Sequence, residues 1–368
     1  MRLLFSSLFV PMPHHMVIFM RTTSDRVYGL DILKALCAFC VISIHAPFSG
    51  TLGLCAEALS RVAVPIFFMI TGFFYVDTLK QKKELAQIKK ISLLCIYSYM
   101  LYFLWGIIHE LYVLKRTVHS FLTYVFRPTN LLNWFLFNNC PFAGHLWYLS
   151  AILYVLIIVY FLNRVFPGKA SRILFAAVPF LLFLNLVFGN YSRLFFQREF
   201  SVCYSRTFLL VGIPYFSLGY FFREHKNYIE ALLAHPIFLV LSALFFSLTT
   251  IIELFLIHHF GLVATVDHFI STIFLSIIVF SAFTSPYWNN KFPILHHIGR
   301  KYSVYIYIFH PIVMVVLNLA AKFLQIYKYY CYCRPIVVFI VSIPISKLYI
   351  RIQASLTGTI RRHPSAKA

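Results

Sequence analysis

A repeating series of apolar segments, each close to 20 residues long, is the feature of this 368-residue chain that most restricts its fold. About 20 apolar residues in a helix cross the hydrocarbon core of a bilayer, where backbone polar groups must bond within the chain. Ten such segments lie near residues 29–48, 59–78, 91–113, 146–165, 172–189, 206–223, 236–257, 265–284, 302–321 and 334–350. The pattern therefore predicts an all-α, polytopic transmembrane helical bundle of about ten spans.

The composition excludes the soluble classes of protein. Only 12% of the residues are charged, whereas a soluble domain has about 25%, and 61% are hydrophobic. The 32 Lys and Arg residues outnumber the 11 Asp and Glu residues, which gives a formal net charge of +21. Because the basic residues lie in short segments between apolar runs, we interpret them as cytoplasmic anchors in a membrane and expect no nucleic-acid partner.

The distribution of the basic residues predicts an orientation. With the N-terminus inside, the cytoplasmic segments hold roughly twice as many Lys and Arg residues as the outer segments. We therefore expect a multi-pass protein of the cell (inner or plasma) membrane with both termini in the cytoplasm. The expected organisation is an N-terminal segment without an assigned role at 1–25, a membrane domain at 26–352 and a basic cytoplasmic tail at 353–368.

The eight cysteines do not have the spacing of a zinc site or a disulfide framework. Cys37 and Cys40 lie inside the first apolar run, where a small polarisable side chain packs well. Cys331 and Cys333 are too few for a zinc site without nearby histidines. We interpret all eight as structural, and we expect no metal and no permanently bound cofactor.

The first apolar run, "LDILKALCAFCVISIHA", contains three ionisable residues, Asp31, Lys34 and His45. Such groups are costly inside hydrocarbon and are therefore functional candidates. At 100° per residue all three fall on one helix face, which should point to the interior of the bundle. The structural alternative is that Asp31 and Lys34 only pair at the inner interface while His45 caps the outer one.

Three further segments place polar side chains near His45 or deeper in the bundle. Arg61 opens "RVAVPIFFMITGFFY" at the outer level, where its planar guanidinium suits a carboxylate, a phosphate or a developing oxyanion. An interfacial, snorkelling Arg61 is the alternative. The fourth span begins "GHLWYLSAILY", with His145, Trp147 and Tyr148. A position in the aromatic belt at the membrane interface is sufficient to explain Trp147. The ninth segment, "GRKYSVYIYIFHP", places Ser303 and His310 on one face, with His310 near the midplane.

The segments "RVYGLDILKALCAFCVISIHA", "RVAVPIFFMITGFF", "GHLWYLSAILY" and "GRKYSVYIYIFHP", in that order, resemble the acyltransferase 3 family of integral-membrane acyltransferases. The resemblance extends from about residue 26 to residue 350. It implies that the protein takes an acyl group, usually acetyl, from cytoplasmic acyl-CoA. The group would be placed on a hydroxyl of a carbohydrate or a lipid-linked sugar, often outside the cytoplasm.

The resemblance also implies roles for individual residues. The family's catalytic histidine matches His45, and the acidic and basic residues before it match Asp31 and Lys34. The arginine before the Pro-Phe-Phe stretch matches Arg61, and Thr71 stands where many members have serine. The soluble hydrolase-like domain that is fused to some members is not expected here. The protein would therefore complete the transfer itself or pass the acyl group to a separate envelope protein.

The leading interpretation is a membrane O-acyltransferase in which His45 takes the proton of the acceptor hydroxyl, directly or after carrying the acyl group itself. Arg61 or His145 would stabilise the oxyanion, and His310 is a further catalytic candidate. The substrate-binding candidates are Asp31, Lys34, Thr71, Trp147, Tyr148 and Ser303. The candidates for the phosphates of acyl-CoA, the expected co-substrate, are Lys82, Lys83, Lys89, Lys90, Arg300 and Lys301, although anchoring alone also explains most of them.

Two other classes of membrane protein remain as alternatives. A secondary transporter would use intramembrane His, Asp and Lys to relay protons or bind substrate, but no paired repeat with interrupted helices is visible. A lipid-linked polysaccharide polymerase or export protein would favour one large outer loop, and the longest outer segment here, about 114–145, is modest.

Overall fold

The computed structural model describes residues 27–226, 235–263 and 267–356, and every regular element within these ranges is helical. The α-helices, in chain order, are α1 Tyr28–His45, α2 Gly50–Ser60, α3 Ala63–Lys80, α4 Glu84–Ile108, α5 Val118–Val125, α6 Pro128–Phe137, α7 Trp147–Val165, α8 Ala170–Phe188, α9 Ser192–Phe196, α10 Val202–Ser205, α11 Ile213–Glu224, α12 Pro236–His259, α13 Ile270–Thr284, α14 Pro293–Lys301, α15 Ser303–Phe323 and α16 Tyr327–Leu356. The predicted segment 1–25 and the tail beyond α16 lie outside the described residues.

Eight helical segments of the described chain are long and apolar enough to cross a membrane. They are Tyr28–His45, Gly50–Lys80, Glu84–Val113, Gly144–Val165, Ala170–Phe188, Pro236–His259, Ser303–Phe323 and Tyr327–Ser355. The other two predicted spans are also helical but shorter. The run 206–223 forms a π-helical turn, Phe208–Gly212, followed by α11, and the run 265–284 forms the 15-residue α13. The all-helical fold is thus confirmed, and the predicted count of ten is approximate.

Helices α1 and α3 lie at the centre of the bundle. Helix α1 contacts α2, α3, α13, α14, α15 and α16, and α3 packs most extensively against α11. The α3–α11 contact is backbone to backbone, because a Cβ added at Gly72 would overlap the carbonyl of Phe216 and one at Gly219 would overlap that of Met69. Small residues at such crossings let membrane helices approach closely, and here they fix the two axes against each other.

Because α1 and α3 run in opposite directions, His45 and the start of α3 lie at the same end of the bundle, which we call the His45 end. The opposite end, which we call the Lys80 end, carries the last turn of α3. Four short helices, α5, α6, α9 and α10, and the helix α2 that follows α1, occupy segments where the sequence pattern predicts only connections. Their short length explains why the pattern of long apolar runs does not mark them.

Candidate active site

A cavity of about 500 Å³ opens at the His45 end of the bundle. The four motif segments all contribute to its wall, through the last residues of α1, the junction before α3, the start of α7 and the middle of α15. The residues of these segments that line it include His45, Arg61, His145, Trp147, Tyr148, Tyr307 and Pro311. The remaining wall comes from Asn139, from residues of the segment 201–206 and from Asp267 and His268.

Three histidines cluster at this end of the bundle: His45 and His145 line the cavity, and His310 packs against both behind the cavity wall. The ring centroid of His45 lies 5.2 Å from that of His310 and 6.4 Å from that of His145, and the His145 and His310 centroids are 5.6 Å apart. His45 is exposed to the cavity, whereas His145 and His310 are buried. The imidazole of His45 is therefore the one that a substrate in the cavity meets first, with His310 against it.

Backbone carbonyls fix the protonation of His310. Its Nδ1 lies 2.8 Å from the carbonyl oxygen of Tyr307 and 3.2 Å from that of Ile306. Because carbonyl oxygens only accept hydrogen bonds, Nδ1 carries the proton, and the lone pair of the neutral ring is on Nε2. That Nε2 is buried and has no hydrogen-bond partner among the described residues. Pro311, next in α15, removes one backbone donor at this level.

Two tyrosine hydroxyls hydrogen-bond backbone carbonyls close to the histidines. The hydroxyl of Tyr307 donates to the carbonyl of His145, and the hydroxyl of Tyr102 donates to the carbonyl of Ile308 at 2.6 Å. The ring of Tyr102 packs edge-on against His145, with centroids 4.4 Å apart. Like that of His310, the Nε2 of His145 is buried and lacks a partner in the part of the chain that the structure describes.

Arg61 belongs to a cluster of four charged residues. Its guanidinium donates to Glu57 at 2.5 Å and to Asp267 at 3.1 Å. Arg206 reaches the same Asp267 oxygen at 3.0 Å. Two positive and two negative side chains therefore offset one another at the edge of the cavity. The prediction that Arg61 lies at the level of His45 agrees with this placement, although Arg61 is paired with carboxylates rather than free.

Asp267 also holds His268, the next residue. Nδ1 of His268 donates to the second carboxylate oxygen of Asp267 at 3.2 Å, which leaves the lone pair of the neutral ring on Nε2. This Nε2 is buried and has no partner within the described ranges. The side-chain amide of Asn190 hydrogen-bonds the backbone of both residues. Its Oδ1 accepts from the Asp267 amide at 2.7 Å, and its Nδ2 donates to the His268 carbonyl at 2.6 Å.

The charge state of Asp267, which precedes α13 in the connection after α12, follows from these contacts. Burial alone would raise the pKa of its carboxyl group, but Arg206, His268 and Arg61 together lower that pKa well below its usual range. Asp267 is therefore ionised at neutral pH, and its carboxylate orients the His268 ring in the wall of the cavity.

Comparison with known families agrees with this arrangement. Residues 27–347 match the sequence profile of the acyltransferase 3 family, described as an acyltransferase domain. The chain belongs to this family. The apolar helices of the chain mark a multi-pass membrane protein. No solved structure matches the chain.

Two curated relatives of this acyltransferase 3 family member are amino-acid racemases of Enterococcus faecalis. One is 24% identical over 330 residues, covering 82% of this chain and 43% of the relative. The other is 26% identical over 223 residues, covering 56% of this chain and 29% of the relative. The chain thus spans less than half the length of the curated relatives it matches.

The remaining predicted site residues of the acyltransferase 3 family member do not line the cavity. Asp31 pairs with Lys34 at 2.8 Å and approaches His296 at 3.4 Å, as in the structural alternative for this pair. The hydroxyls of Thr71 and Ser303 donate to backbone carbonyls four residues earlier, at 2.9 Å and 2.7 Å. Substrate binding by these residues stays a prediction.

The predicted phosphate ligands also lie away from the cavity. Lys82, Lys83, Lys89 and Lys90 are at or near the start of α4, and Arg300 and Lys301 end α14. Lys90 is near Lys34 of α1, so basic side chains of two helices gather on this side of the bundle. Their role in donor binding stays a prediction.

Four residues of the site were not singled out from the sequence: Glu57, Arg206, Asp267 and His268. Two of them carry a signal in the sequence. Asp267 and His268 are adjacent ionisable residues at the beginning of the apolar run 265–284, and ionisable residues in such runs are functional candidates. Glu57 lies in a predicted connection, and Arg206 is the first residue of the run 206–223, where a basic residue is an ordinary anchor at the end of a span.

Proposed function

We propose that this protein transfers an acyl group, acetyl in the simplest case, from acyl-CoA to a hydroxyl of a cell-envelope carbohydrate or lipid-linked sugar. The observation that carries the proposal is the cluster of three imidazoles in a chain of this family, with His45 and His145 lining one cavity and His310 packed against them. A sugar hydroxyl is a poor nucleophile and needs a base as it attacks, and a neutral imidazole near pH 7 meets that need.

In the proposed reaction the acceptor hydroxyl attacks the thioester carbonyl while His45 takes the hydroxyl proton. The oxyanion of the tetrahedral intermediate then collapses, the C–S bond breaks, and an ester C–O bond remains. The CoA thiolate takes up the proton that His45 received. His310 supports this step as a positioning residue, because its unpartnered Nε2 can accept a hydrogen bond from the adjacent His45 ring.

Two groups are available to stabilise the oxyanion. Arg61 is held by Glu57 and Asp267, so it contributes a fixed positive charge at the edge of the cavity. His145 also lines the cavity, and its buried Nε2, which has no partner among the described residues, is the nitrogen that would donate a hydrogen bond to the oxyanion. Donors that are fixed before the reaction cost no reorganisation when the charge develops.

The Asp267–His268 pair supports a second assignment of the base at the same cavity. A carboxylate that accepts from Nδ1 holds the imidazole with its Nε2 lone pair available, as in hydrolytic triads. His45 remains the primary assignment because it is exposed to the cavity and contacts two other imidazoles. Separate substitutions of the two histidines distinguish the assignments.

The proposal includes an orientation. The excess of basic residues in alternate connections supports a cell-membrane protein with both termini in the cytoplasm. The Lys80 end then faces the cytoplasm, where acyl-CoA is made, and the cavity at the His45 end faces outward. The basic side chains near the start of α4 and at the end of α14 would contact the phosphates of CoA.

Acyl transfer itself is the first test. Protein purified in nanodiscs should release CoA thiol from acetyl-CoA when hydroxyl-bearing acceptors are added, and radioactive label should move from acetyl-CoA to the acceptor as an ester. Uptake of an amino acid or sugar into proteoliposomes, without any release of CoA, would contradict the proposal and favour the transporter class.

The lysines before and within α4 give a test of donor binding. Neutralising Lys82, Lys83, Lys89 and Lys90 together should raise the apparent KM for acetyl-CoA about three- to tenfold, because exposed ion pairs contribute little each. The effect should shrink as salt screens the charges. Steady-state kinetics at two ionic strengths measure it. An unchanged KM, with normal insertion in the membrane, would mean that the lysines serve only the topology.

A further inference from the structure

A second cavity, of about 630 Å³, lies beside the first at the His45 end. We call it the groove. Its walls are the end of α6, the end of α8 and the connection from 198 to 210. The side chains that dominate it are apolar or aromatic: Leu136, Phe137, Leu184, Phe188, Tyr204 and Phe208. Such a lining offers few hydrogen-bonding groups, so it suits an apolar chain better than a saccharide.

Aromatic contacts build the floor of the groove. The rings of Phe137 and Tyr204 meet edge to face at 4.8 Å, and those of Phe188 and Phe200 lie 5.7 Å apart. Leu136, in the wall of the groove, is 59% exposed. The groove is therefore preformed by aromatic packing and has an exposed apolar wall.

Two charged residues stand at the edge of the groove. Glu199 pairs with Arg193 at 2.9 Å, which offsets its negative charge. The guanidinium of Arg198 lies 4.5 Å from the centre of the Phe200 ring. An Arg over an aromatic ring keeps its N–H groups in the plane of the guanidinium, where they can bind a phosphate. The edge of the groove thus carries a positive charge next to an apolar trough.

The groove adjoins the histidine cavity. Ser201 is exposed and lines both spaces. The four-residue helix α10 is the wall between them, with Val202 and Cys203 on the side of the cavity and Tyr204 on the side of the groove. A molecule seated in the groove therefore meets the space in front of His45 across a single short element.

From these contacts we infer that the groove binds the apolar chain of a phosphate-linked lipid whose head group carries the acceptor hydroxyl. This inference rests on the proposed function and names its substrate class. The chain lies among the side chains of α6 and α8, the phosphate meets Arg198, and the head group passes Ser201 into the cavity. The acceptor then approaches His45 from the side of the bilayer rather than from water.

Two acceptors with the same sugar test the inference: one on a long prenyl phosphate, the other a water-soluble methyl glycoside. Leu136→Trp fills the groove, and Leu132→Trp is its matched control, one turn earlier in α6, 58% exposed and outside the groove lining. Leu136→Trp should raise the KM for the prenyl acceptor about tenfold relative to the methyl glycoside. Leu132→Trp should leave that ratio unchanged. An unchanged ratio in both variants would contradict the inference.

A second pair of acceptors tests the proposed contact between Arg198 and the phosphate. Arg198→Gln should raise the KM for the prenyl phosphate acceptor relative to an acceptor with the same chain on an uncharged linker. Equal effects on both acceptors would contradict the assignment of Arg198 to the phosphate.

A binding measurement separates this inference from the acyltransferase proposal. A prenyl phosphate carrying a photoreactive diazirine should label the groove segments of the wild-type protein, and unlabelled prenyl phosphate should compete with it. Leu136→Trp should reduce the labelling, whether or not acyl transfer is observed. Competition by phosphatidylcholine to the same extent would show that the groove holds bulk membrane lipid only, and the inference would be wrong.

Discussion

Replacement of His45 by alanine should lower the rate of acyl transfer by about 10²–10⁴-fold, the usual contribution of a general base. The physical reason is that the acceptor hydroxyl then has no exposed imidazole in front of it, while His145 and His310 stay buried. Expression and membrane insertion should remain near normal, because His45 ends α1 and is exposed to the cavity. Release of CoA thiol by equal amounts of purified wild type and variant measures the loss.

The matched control is His259→Ala, an exposed histidine that also ends a long apolar helix but lies outside the cavity lining. It should keep the wild-type rate. A His45→Ala protein with more than about a tenth of the wild-type rate would remove His45 from the role of base. His268→Ala should then show the large loss, which would move that role to the Asp267–His268 pair.

Replacement of Asp267 by asparagine should destabilise the protein by about 3–5 kcal/mol, the cost of leaving a buried charge without its partner. The carboxylate is shared by Arg61 and Arg206 and also holds His268, so its loss leaves one uncompensated positive charge at the cavity. Thermal unfolding in detergent, followed with a thiol-reactive dye that reports exposure of buried cysteines such as Cys37 and Cys95, measures the change.

A double variant makes this prediction specific. Adding Arg206→Gln to Asp267→Asn restores equal charge, because Arg61 keeps its contact with Glu57. The double variant should therefore be more stable than Asp267→Asn alone, a non-additive result. Glu199→Gln is the control for an ordinary surface pair, since its partner Arg193 is exposed, and it should cost at most about 1 kcal/mol. Equal losses from Glu199→Gln and Asp267→Asn would contradict the buried-charge account.

Much of the fold could be predicted from the sequence, because a segment that crosses lipid must be apolar for about 20 residues and must form its backbone hydrogen bonds within itself as a helix. A run such as 236–257 is apolar over its whole length, and the structure has helix α12 at Pro236–His259. The runs 206–223 and 265–284 meet the same compositional rule but form shorter helices. For α11 the reason is that it is packed against α3 and largely buried in protein, so it need not match the thickness of the bilayer.

The site could be predicted only in part, for a different physical reason. His45, Arg61, His145 and His310 stand out because each is a polar residue in an apolar run, and the structure places all four at or against one cavity. Their roles stay predictions. The partners of Arg61 could not be predicted, since Asp267 is 206 residues further along the chain and helical spacing carries no information about contacts between helices.

The close crossing of α3 and α11 has a mechanical consequence for the site. Bilayers of different thickness change the tilt of membrane helices. Two helices in direct backbone contact at Gly72 and Gly219 cannot slide past each other without overlap, so they tilt as one rigid body. Arg61 lies two residues before α3, and Arg206 precedes the turn that leads into α11. The two arginines therefore keep their separation, and with it their shared hold on Asp267, as the surrounding membrane thins or thickens.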